Sequence, residues 1–385
     1  MTPDALRIAL FSGNYNYVRD GANQALNRLV DYLLRQGAAV RVYSPVVEHP
    51  AFPPAGDLIG VPSVSIPGRP EYRIPVAIPP RVRRDLTAFA PNVIHIASPD
   101  IVAHRAVSWA RARSIPAVAS VHTRFETYLQ YYHLQMFEPT VRAILRRLYR
   151  RCDAIVAPAE STAAILRAQR MNKDIGIWTR GVDRAQFNPE RRSLEWRRSI
   201  GLADTEMAVA FLGRIVMEKG LDGFADAIAG ATTRGVPLRV VVIGDGPARP
   251  WFEQNLPDNS IFVGMQSGTD LATALASTDL FLNPSITETF GNVTLEAMAC
   301  GLPVIAAEAS GATSLVQDSV TGTLVTPLDT DGFAAALDAY QRGPDLRARH
   351  GEAGLAFAKT MDWDEINAAV MRVYARVIER RRARG

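Results

Sequence analysis

Short apolar runs alternate with amphipathic segments along the whole chain, and each apolar run stops at Gly, Pro, Ser or Asp. This alternation is typical of parallel strands joined by crossover helices, and near-continuous apolar strands are buried on both faces. The pattern therefore predicts an α/β fold. In the first half the predicted strands are 6–12, 39–44, 93–98, 117–123 and 154–159, with helices that include 21–36, 100–113 and 138–151.

A second series of apolar runs begins after residue 200, and helical patterns follow most of them. The segment 177–193 mixes Gly, Pro and charged residues without clear periodicity, which suits an interdomain hinge. We therefore predict two domains, 1–185 and 186–362, followed by one long, arginine-rich helix over 363–385 whose basic end is a solvated, frayed terminus. The predicted strands of this second series are 207–213, 238–246, 260–265, 279–285 and 303–309.

Composition agrees with two α/β domains, because the 385 residues are 48% hydrophobic and 21% charged. The net charge of +4 is compatible with an anionic ligand, and the dispersed basic residues argue against a nucleic-acid partner. Cys152 and Cys300 stand far apart and outside any CxxC pattern, so neither a zinc site nor a disulfide framework is expected. With no leader pattern and no run long enough to cross a bilayer, we expect a cytoplasmic protein that is soluble or peripheral to the membrane.

The motif GRIVMEKG (213–220) directly follows a predicted strand. Arg214 and Lys219 stand on either side of the turn into the next helix, where two cations can clamp a diphosphate. The alternative is that both are ordinary surface cations.

The motif ITETFGNVTLEAMACG (286–301) also follows a predicted strand. Gly291 lies where a helix is predicted to begin, and free amides at a helix start favour a phosphate or a sugar hydroxyl. Glu288 and Glu296 can accept hydrogen bonds from hydroxyls, although two carboxylates at this spacing also occur on solvated helices.

Two further candidates follow strands of the first half. Gly13 and Gly21 bracket a polar, aromatic loop that leads into a helix, so the backbone of Gly21 can approach an anion. The loop lacks GxGxxG, which disfavours a dinucleotide site. His122 ends a predicted strand and faces the predicted cleft between the domains, although a lone His is often a structural residue.

Taken together, these motifs resemble the retaining glycosyltransferases of family 4, which have the GT-B fold of two Rossmann-like domains facing a central cleft. The resemblance implies an acceptor-binding first domain, a nucleotide-sugar-binding second domain and a C-terminal helix that returns toward the first domain. Two segments, 122–153 and 177–183, are most similar to the branch of lipid mannosyltransferases and of sulfoquinovosyl- and glucuronosyl-diacylglycerol synthases. The segments that carry the family resemblance are GRIVMEKG (213–220), VVIGDGPAR (241–249), TETFGNVTLEAMACGLPVIA (287–306) and RGVDRAQFNP (180–189).

The resemblance also implies roles for individual residues. Glu296 is implied to bind the ribose, Glu288 the donor sugar, and the two cations the diphosphate, with Gly21 reaching the diphosphate from the other domain. The implied catalytic residues are His122, Arg214, Lys219 and Glu288. The implied donor-binding residues are Gly21, Arg214, Lys219, Glu288, Thr289, Phe290, Gly291, Asn292 and Glu296.

The resemblance also implies that the sugar is transferred with retention of configuration. Negative charge then grows on the departing diphosphate, which itself takes the proton of the acceptor. No metal and no cofactor are then expected. The two DxD-like triplets, 329–331 and 362–364, each precede a predicted helix, so we interpret their aspartates as N-caps instead of metal ligands.

Several basic and aromatic residues are candidates for the acceptor. Arg124 and Arg180 can bind a carboxylate or a sulfonate bidentately, or else pair with local acids, and Tyr17 and Arg19 are further acceptor or anion candidates. The predicted helix 138–151 can lie on an anionic membrane surface or expose an ordinary basic face to solvent. Its arginines are Arg142, Arg146, Arg147, Arg150 and Arg151.

We therefore expect a metal-independent retaining glycosyltransferase that moves a sugar from a nucleoside-diphosphate donor to a lipid acceptor such as a glycerolipid. A UDP-sugar is the favoured donor and GDP-mannose the alternative, and a soluble small-molecule acceptor stays open. The motif that holds Glu288 and Glu296 disfavours a sugar-nucleotide epimerase on the same fold.

Overall fold

The computed structural model describes residues 2–18, 20–66, 69–122, 135–288, 290–309 and 311–383. Contacts divide the chain into two compact units: Met1–Arg180 with Trp363–Gly385, and Gly181–Asp362. Each unit contains one parallel sheet with helices between its strands. The predicted α/β class with two Rossmann-like sheets is confirmed.

The first unit contains a seven-stranded parallel sheet in the order β3-β2-β1-β6-β7-β8-β9 and a separate antiparallel hairpin, β4-β5. Its strands are β1 (Arg7–Phe11), β2 (Ala39–Ser44), β3 (Asp57–Gly60), β4 (Ser63–Ile66), β5 (Arg69–Pro75), β6 (Val93–Ile96), β7 (Ala117–Ser120), β8 (Ala154–Ala157) and β9 (Ile175–Ile177). Its helices before the second unit are α1 (Gly21–Arg35), α2 (Pro80–Phe89), α3 (Ile101–Arg111), α4 (Glu138–Tyr149) and α5 (Glu160–Ala168).

The central strands of this sheet are covered on both faces. Every residue of β6, β7 and β8 is buried, as continuous apolar runs predict for a parallel sheet between two helix layers. Strand β1 lies between β2 and β6, so the strand order reverses there. Loops at the carboxyl ends of β1, β6 and β7 therefore share the edge at which open α/β sheets bind ligands.

The second unit contains a six-stranded parallel sheet in the order β12-β11-β10-β13-β14-β15, and its order reverses at β10. Its strands are β10 (Ala208–Leu212), β11 (Arg239–Ile243), β12 (Ile261–Gly264), β13 (Leu280–Asn283), β14 (Val304–Ala307) and β15 (Gly322–Val325). Its helices are α6 (Leu194–Ser199), α7 (Leu221–Thr233), α8 (Arg249–Asn255), α9 (Gly268–Ala276), α10 (Asn292–Ala299), α11 (Thr330–Arg342) and α12 (Pro344–Lys359).

The last helix, α13 (Trp363–Arg382), belongs to the first unit. Its apolar face joins the core beneath β1 and α1 through Val370, Val373 and Tyr374. Arg376 pairs with Asp174 over 2.7 Å, Arg380 pairs with the same carboxylate, and Arg381 pairs with Asp153. Arg382 is exposed and the last two residues lie outside the described part of the chain, so the solvated, frayed terminus stays a prediction. These ion pairs hold the last turns of α13 on the first unit.

Every strand predicted from the sequence is present, with ends within three residues of the observed ones. The sequence analysis missed three parallel strands, β3, β9 and β15, and the hairpin β4-β5.

Candidate active site

In the second unit, the loop after β11 supports the loop after β10. The amide of Ile215 donates to the carbonyl of Asp245 over 3.0 Å, and the amide of Ala248 donates to the carbonyl of Ile215 over 3.1 Å. A Cβ atom on Gly246 would lie 2.4 Å from the carbonyl oxygen of Ile215, so only glycine fits there. This close approach fixes the backbone beside Arg214, whose side chain is exposed.

The same edge brings together a cation and a carboxylate that the sequence predicted separately. Lys219 ends the short 3-10 turn Met217–Lys219, and its Nζ lies 2.6 Å from Oε1 of Glu288. Gly220 follows with φ 74, and a Cβ atom on it would lie 3.1 Å from the amide nitrogen of Ser285. The loops after β10 and β13 therefore pack closely enough to place the two charged groups in contact.

Glu288 also lies over the start of α10. Gly291, with φ 100, precedes this helix, and no side chain in the described part of the chain caps its first turn. A Cβ atom on Gly291 would lie 3.0 Å from Oε2 of Glu288. Asn283 supports the arrangement by donating to Thr294 over 3.0 Å, and Glu296 lies further along α10, partly buried. The geometry offers a cation, carboxylate oxygens and open helix amides, which suits phosphate and hydroxyl groups.

The other predicted residues of this motif lie as follows. Phe290 is buried and Asn292 is the first residue of α10. Thr289, Arg19 and Arg124 lie outside the described residues.

In the first unit, Tyr17 ties the loop after β1 to strand β5. Its hydroxyl donates to the carbonyl of Gly13 over 2.6 Å and accepts from the amide of Arg73 over 3.1 Å. Gly13 in turn donates its amide to Oγ of Ser98 over 2.8 Å. Burial raises the pKa of Tyr17 to about 12. Tyr17 is thus a structural tie within the first unit, and its predicted acceptor contact stays a prediction.

Gly21 begins α1, as predicted, and a neighbouring acid acts on the same helix start. The side chain of Asp20 accepts from the amide of Asn23 over 2.8 Å and so caps the helix. Because this carboxylate adds negative charge beside Gly21, it opposes an approaching anion. The predicted diphosphate contact of Gly21 stays a prediction, and Asp20 is the residue that the sequence analysis missed there.

His122 and Arg180, predicted as separate candidates, are in direct contact. Nη2 of Arg180 lies 2.9 Å from Nδ1 of His122, and Nε2 of His122 lies 2.7 Å from Oγ of Ser120. Nη1 of Arg180 donates to the carbonyls of Trp178 and Thr179, and the guanidinium stacks 4.7 Å over the Trp178 ring. Arg180 is only 4% exposed, which makes it a buried cation held by oxygens, an imidazole and an indole.

Burial controls the charge of this pair. Burial and, secondarily, the nearby Arg180 hold the pKa of His122 well below its usual value. Burial also lowers the pKa of Arg180 to about 10, so it stays charged at neutral pH. A neutral imidazole therefore stands beside a charged guanidinium.

Two residues beyond the predicted set complete this cluster. Nε2 of His95 lies 2.8 Å from Oγ of Ser120, and Nδ1 of His95 contacts the hydroxyl of Tyr374 on α13. A polar His inside the fully buried strand β6 was a usable signal, because a buried polar group needs a partner.

Aspartates of both acidic triplets bond to protein groups. Asp329 caps α11 by accepting from the amide of Gly332 over 2.9 Å, as predicted, whereas Asp364 pairs with Arg35 over 2.7 Å. Among the described residues, no group of three or more His, Cys, Asp or Glu side chains could hold a metal ion.

Helix α4 has the predicted amphipathic pattern, and several of its arginines bond within the first unit. Arg146 donates to the carbonyl of Gln169 over 3.0 Å, and Arg142 pairs with Glu138. Ile144 nevertheless stays 51% exposed. In the described part of the chain, no helix is both long and apolar enough to span a membrane.

Two Rossmann-like units, with a cation and a carboxylate paired at the carboxyl edge of the second sheet, define a two-domain α/β protein. Residues 19–186 match the family described as "Glycosyltransferase Family 4", and residues 206–342 match "Glycosyl transferases group 1". The chain belongs to this family of glycosyltransferases.

Relatives of the chain agree with this family. A GDP-mannose-dependent alpha-mannosyltransferase of Mycolicibacterium smegmatis is 32% identical over 98% of this chain and 100% of its own length. The sulfoquinovosyl transferase SQD2 of Arabidopsis thaliana is 31% identical over 93% of this chain and 71% of its own. Among solved structures, sucrose-phosphate synthase from Thermosynechococcus elongatus has a TM-score of 0.79 at 20% identity, over 97% of this chain and 99% of that chain. This last likeness shows the GT-B fold.

Proposed function

We propose that this chain transfers a hexose from a nucleoside-diphosphate sugar to a hydroxyl of a glycerolipid-type acceptor, with retention of configuration and without a metal. One observation carries the proposal: the contact between Lys219 and Glu288 beside the open start of α10. A diphosphate needs a cation and backbone amides, and a sugar needs carboxylate oxygens for its hydroxyls. The second unit offers all three at one edge of its sheet.

The chemistry follows from where charge develops. The bond between the anomeric carbon and the diphosphate oxygen breaks, the acceptor oxygen bonds to the same face of that carbon, and the acceptor proton passes to the departing phosphate oxygen. Lys219, Arg214 and the amides of α10 stabilise the negative charge as it grows on the diphosphate. His122 is a poor proton acceptor because burial and Arg180 disfavour its charged form.

For the donor, we now place GDP-mannose first and a UDP-sugar second. Support for GDP-mannose comes from the mannosyltransferase relative, which aligns over its full length. A thermal-shift panel with GDP, UDP and ADP at equal concentration tests the order, since a ligand at 100 times its Kd stabilises by about 2.7 kcal/mol. Stabilisation by GDP alone supports the mannose donor, stabilisation by UDP alone restores the UDP-sugar, and the absence of any shift contradicts donor binding by this chain.

For the acceptor, we propose a glycerolipid at an anionic membrane surface. Helix α4 supports this with a basic face and the exposed Ile144, preceded by Met136, which is 79% exposed. The test offers labelled donor to vesicles that contain diacylglycerol, with and without anionic lipid. Labelled lipid that increases with anionic content supports the proposal, whereas transfer only to water-soluble alcohols contradicts it.

A second candidate is a donor or acceptor with an anionic group. The similarity to a sulfoquinovosyl transferase favours it, and Arg180 is the residue that the sequence analysis offers for the anion. Competition between GDP-mannose and a sulfonated or carboxylated nucleotide sugar separates the two. This second candidate would be favoured if the wild type preferred the anionic sugar and Arg180→Gln lost that preference.

A further inference from the structure

A continuous chain of hydrogen bonds in the first unit connects Arg180 to the C-terminal helix. Arg180 contacts Nδ1 of His122 over 2.9 Å, and Nε2 of His122 contacts Ser120 over 2.7 Å. Ser120 contacts His95 over 2.8 Å, and His95 contacts the hydroxyl of Tyr374. Apart from the partly buried His122, these side chains are buried. Water therefore does not compete for the hydrogen bonds at Arg180 or at Tyr374.

Arg180 fixes the direction of the first two bonds. A guanidinium donates and never accepts, so Nδ1 of His122 must accept with its lone pair. The proton of the neutral ring is then on Nε2, where it donates to Oγ of Ser120. Only the Nε2–H tautomer of His122 satisfies both neighbours, and a protonated ring would face the guanidinium with a second positive charge.

Helix α13 supports both ends of this arrangement. Tyr374 contacts His95, and His95 contacts the Ser120 hydroxyl that accepts the hydrogen bond from Nε2 of His122. Seven positions earlier on α13, Asn367 accepts from the indole nitrogen of Trp178 over 3.1 Å. Trp178 carries the guanidinium of Arg180 on its ring and packs edge-on against His122, with ring centroids 5.4 Å apart. Residues about two helical turns apart thus fix the imidazole from both sides.

We propose that Arg180 sets the tautomer of His122, that α13 sets the orientation of its ring, and that Tyr374 and Asn367 are positioning residues for sugar transfer. This rests on the proposed function and on the catalytic role that the family resemblance implies for His122. Since its Nδ1 lone pair and its Nε2 proton are both engaged, His122 orients neighbours and takes no proton from the acceptor. The departing phosphate is left as the proton acceptor, in agreement with the proposed chemistry.

The first test reads the tautomer directly, without substrate. In protein labelled with ¹⁵N-histidine, the ring signals of His122 are assigned by comparison with His122→Gln. The expected result is a proton on Nε2 in the wild type and a mixture of tautomers in Arg180→Met, which lacks the donor. A wild-type proton on Nδ1, or an unchanged tautomer in Arg180→Met, would overturn the proposal.

The second test measures transfer in Tyr374→Phe. Loss of the support at His95 should lower kcat roughly tenfold or more while KM for the donor stays within about twofold, because misorientation of a positioned group affects the transition state most. Tyr340→Phe is the matched control, because the hydroxyl of this buried tyrosine also contacts a histidine ring, His350 over 2.7 Å, in the second unit. Ser120→Thr, which keeps the hydroxyl, should retain more activity than Ser120→Ala.

The outcomes of the two tests are separable. Equal turnover in Tyr374→Phe and Tyr340→Phe would overturn the positioning role even if both are less stable than the wild type. A wild type that transfers no sugar to any acceptor would overturn the proposed function and the positioning role with it. The substrate-free tautomer would then still decide whether the hydrogen-bond chain has the stated direction.

Discussion

Nζ of Lys219 lies 2.6 Å from Oε1 of Glu288, and this contact joins the cation and the carboxylate of the proposed nucleotide-sugar site. The Glu288 side chain is 9% exposed and that of Lys219 is 39% exposed, so the cation offsets the cost of keeping a carboxylate mostly out of water. A diphosphate that engages Lys219 withdraws that compensation, and sugar hydroxyls can replace it by donating to Glu288. Phosphate and sugar are therefore bound best together, which favours the complete donor over its parts.

Replacing Lys219 by alanine should abolish most of the transfer and leave the fold intact. Loss of one preorganised positive group facing a developing negative charge costs about 10²–10³ in kcat. Circular dichroism should be unchanged, and the stabilisation by nucleoside diphosphate should fall. Lys359→Ala removes an exposed lysine of the same unit and should behave as the wild type. Near-normal turnover in a folded Lys219→Ala protein contradicts the proposed role.

Gly246→Ala should weaken donor binding through the backbone alone. The added Cβ atom would lie 2.4 Å from the carbonyl oxygen of Ile215, so the loop that holds Arg214 must move. We expect a lower Tm and a KM for the donor that is raised several-fold. At Gly235, where φ is 72 and the space is open, alanine should cost about 1 kcal/mol of stability and leave KM unchanged. A donor KM equal in the two variants argues against support of Arg214 by this loop.

Chelation tests the proposed independence from metal. Lys219, Arg214 and the amides of α10 offer the positive charge that a divalent cation would otherwise bring to the diphosphate. Transfer rates in excess EDTA should therefore equal those in added Mg²⁺. Strong inhibition by EDTA that Mg²⁺ or Mn²⁺ reverses is the contrary result.

The sheets were predictable from the sequence where strands are covered on both sides. β3, β9 and β15 are edge strands, with half-exposed residues and a glycine in each, so they lack the continuous apolar run that marks an inner strand. β12 is also an edge strand, but its sequence Ile-Phe-Val is apolar enough to be recognised. An edge strand has a neighbouring strand on one side only, so its residues are less buried and its local apolar pattern is too weak to predict it.

The candidate site also has residues that the sequence predicts and contacts that it does not predict. Lys219 and Glu288 stand directly after predicted strands, and the rule that ligands bind at the carboxyl ends of parallel strands locates them without tertiary information. The support of His122 by Tyr374 joins a strand end to a helix at the far end of the chain, so no local spacing indicates it. The direction of the Arg180 contact also depends on packing, because Arg180 bonds to the two carbonyls before it and to a ring 58 positions earlier.

Acid should destabilise the first unit through its buried neutral histidines. Burial lowers the pKa of His95 to about 3, and burial with Arg180 lowers the pKa of His122. Below an unfolded-state pKa of about 6.5 the unfolded chain binds more protons than the folded chain, so the free energy of unfolding falls as pH falls. For His95 this stability is fully present above about pH 6.5 and is lost progressively toward about pH 3, by about 1.4 kcal/mol per pH unit, and His122 contributes in the same direction. Urea unfolding at several pH values between about 7.5 and about 4.5 measures the slope.

His95→Gln should flatten that slope by the share of one histidine, because glutamine keeps hydrogen-bonding groups and takes up no proton on unfolding. His49 is exposed, so His49→Gln is the matched control and should keep the wild-type slope. His122→Gln should flatten the slope independently, since each buried ring excludes its own proton in the folded state. If His95→Gln and His49→Gln gave the same pH dependence, His95 would not be neutral in the folded protein. The explanation of how His122 is oriented without exchanging protons would then fail as well.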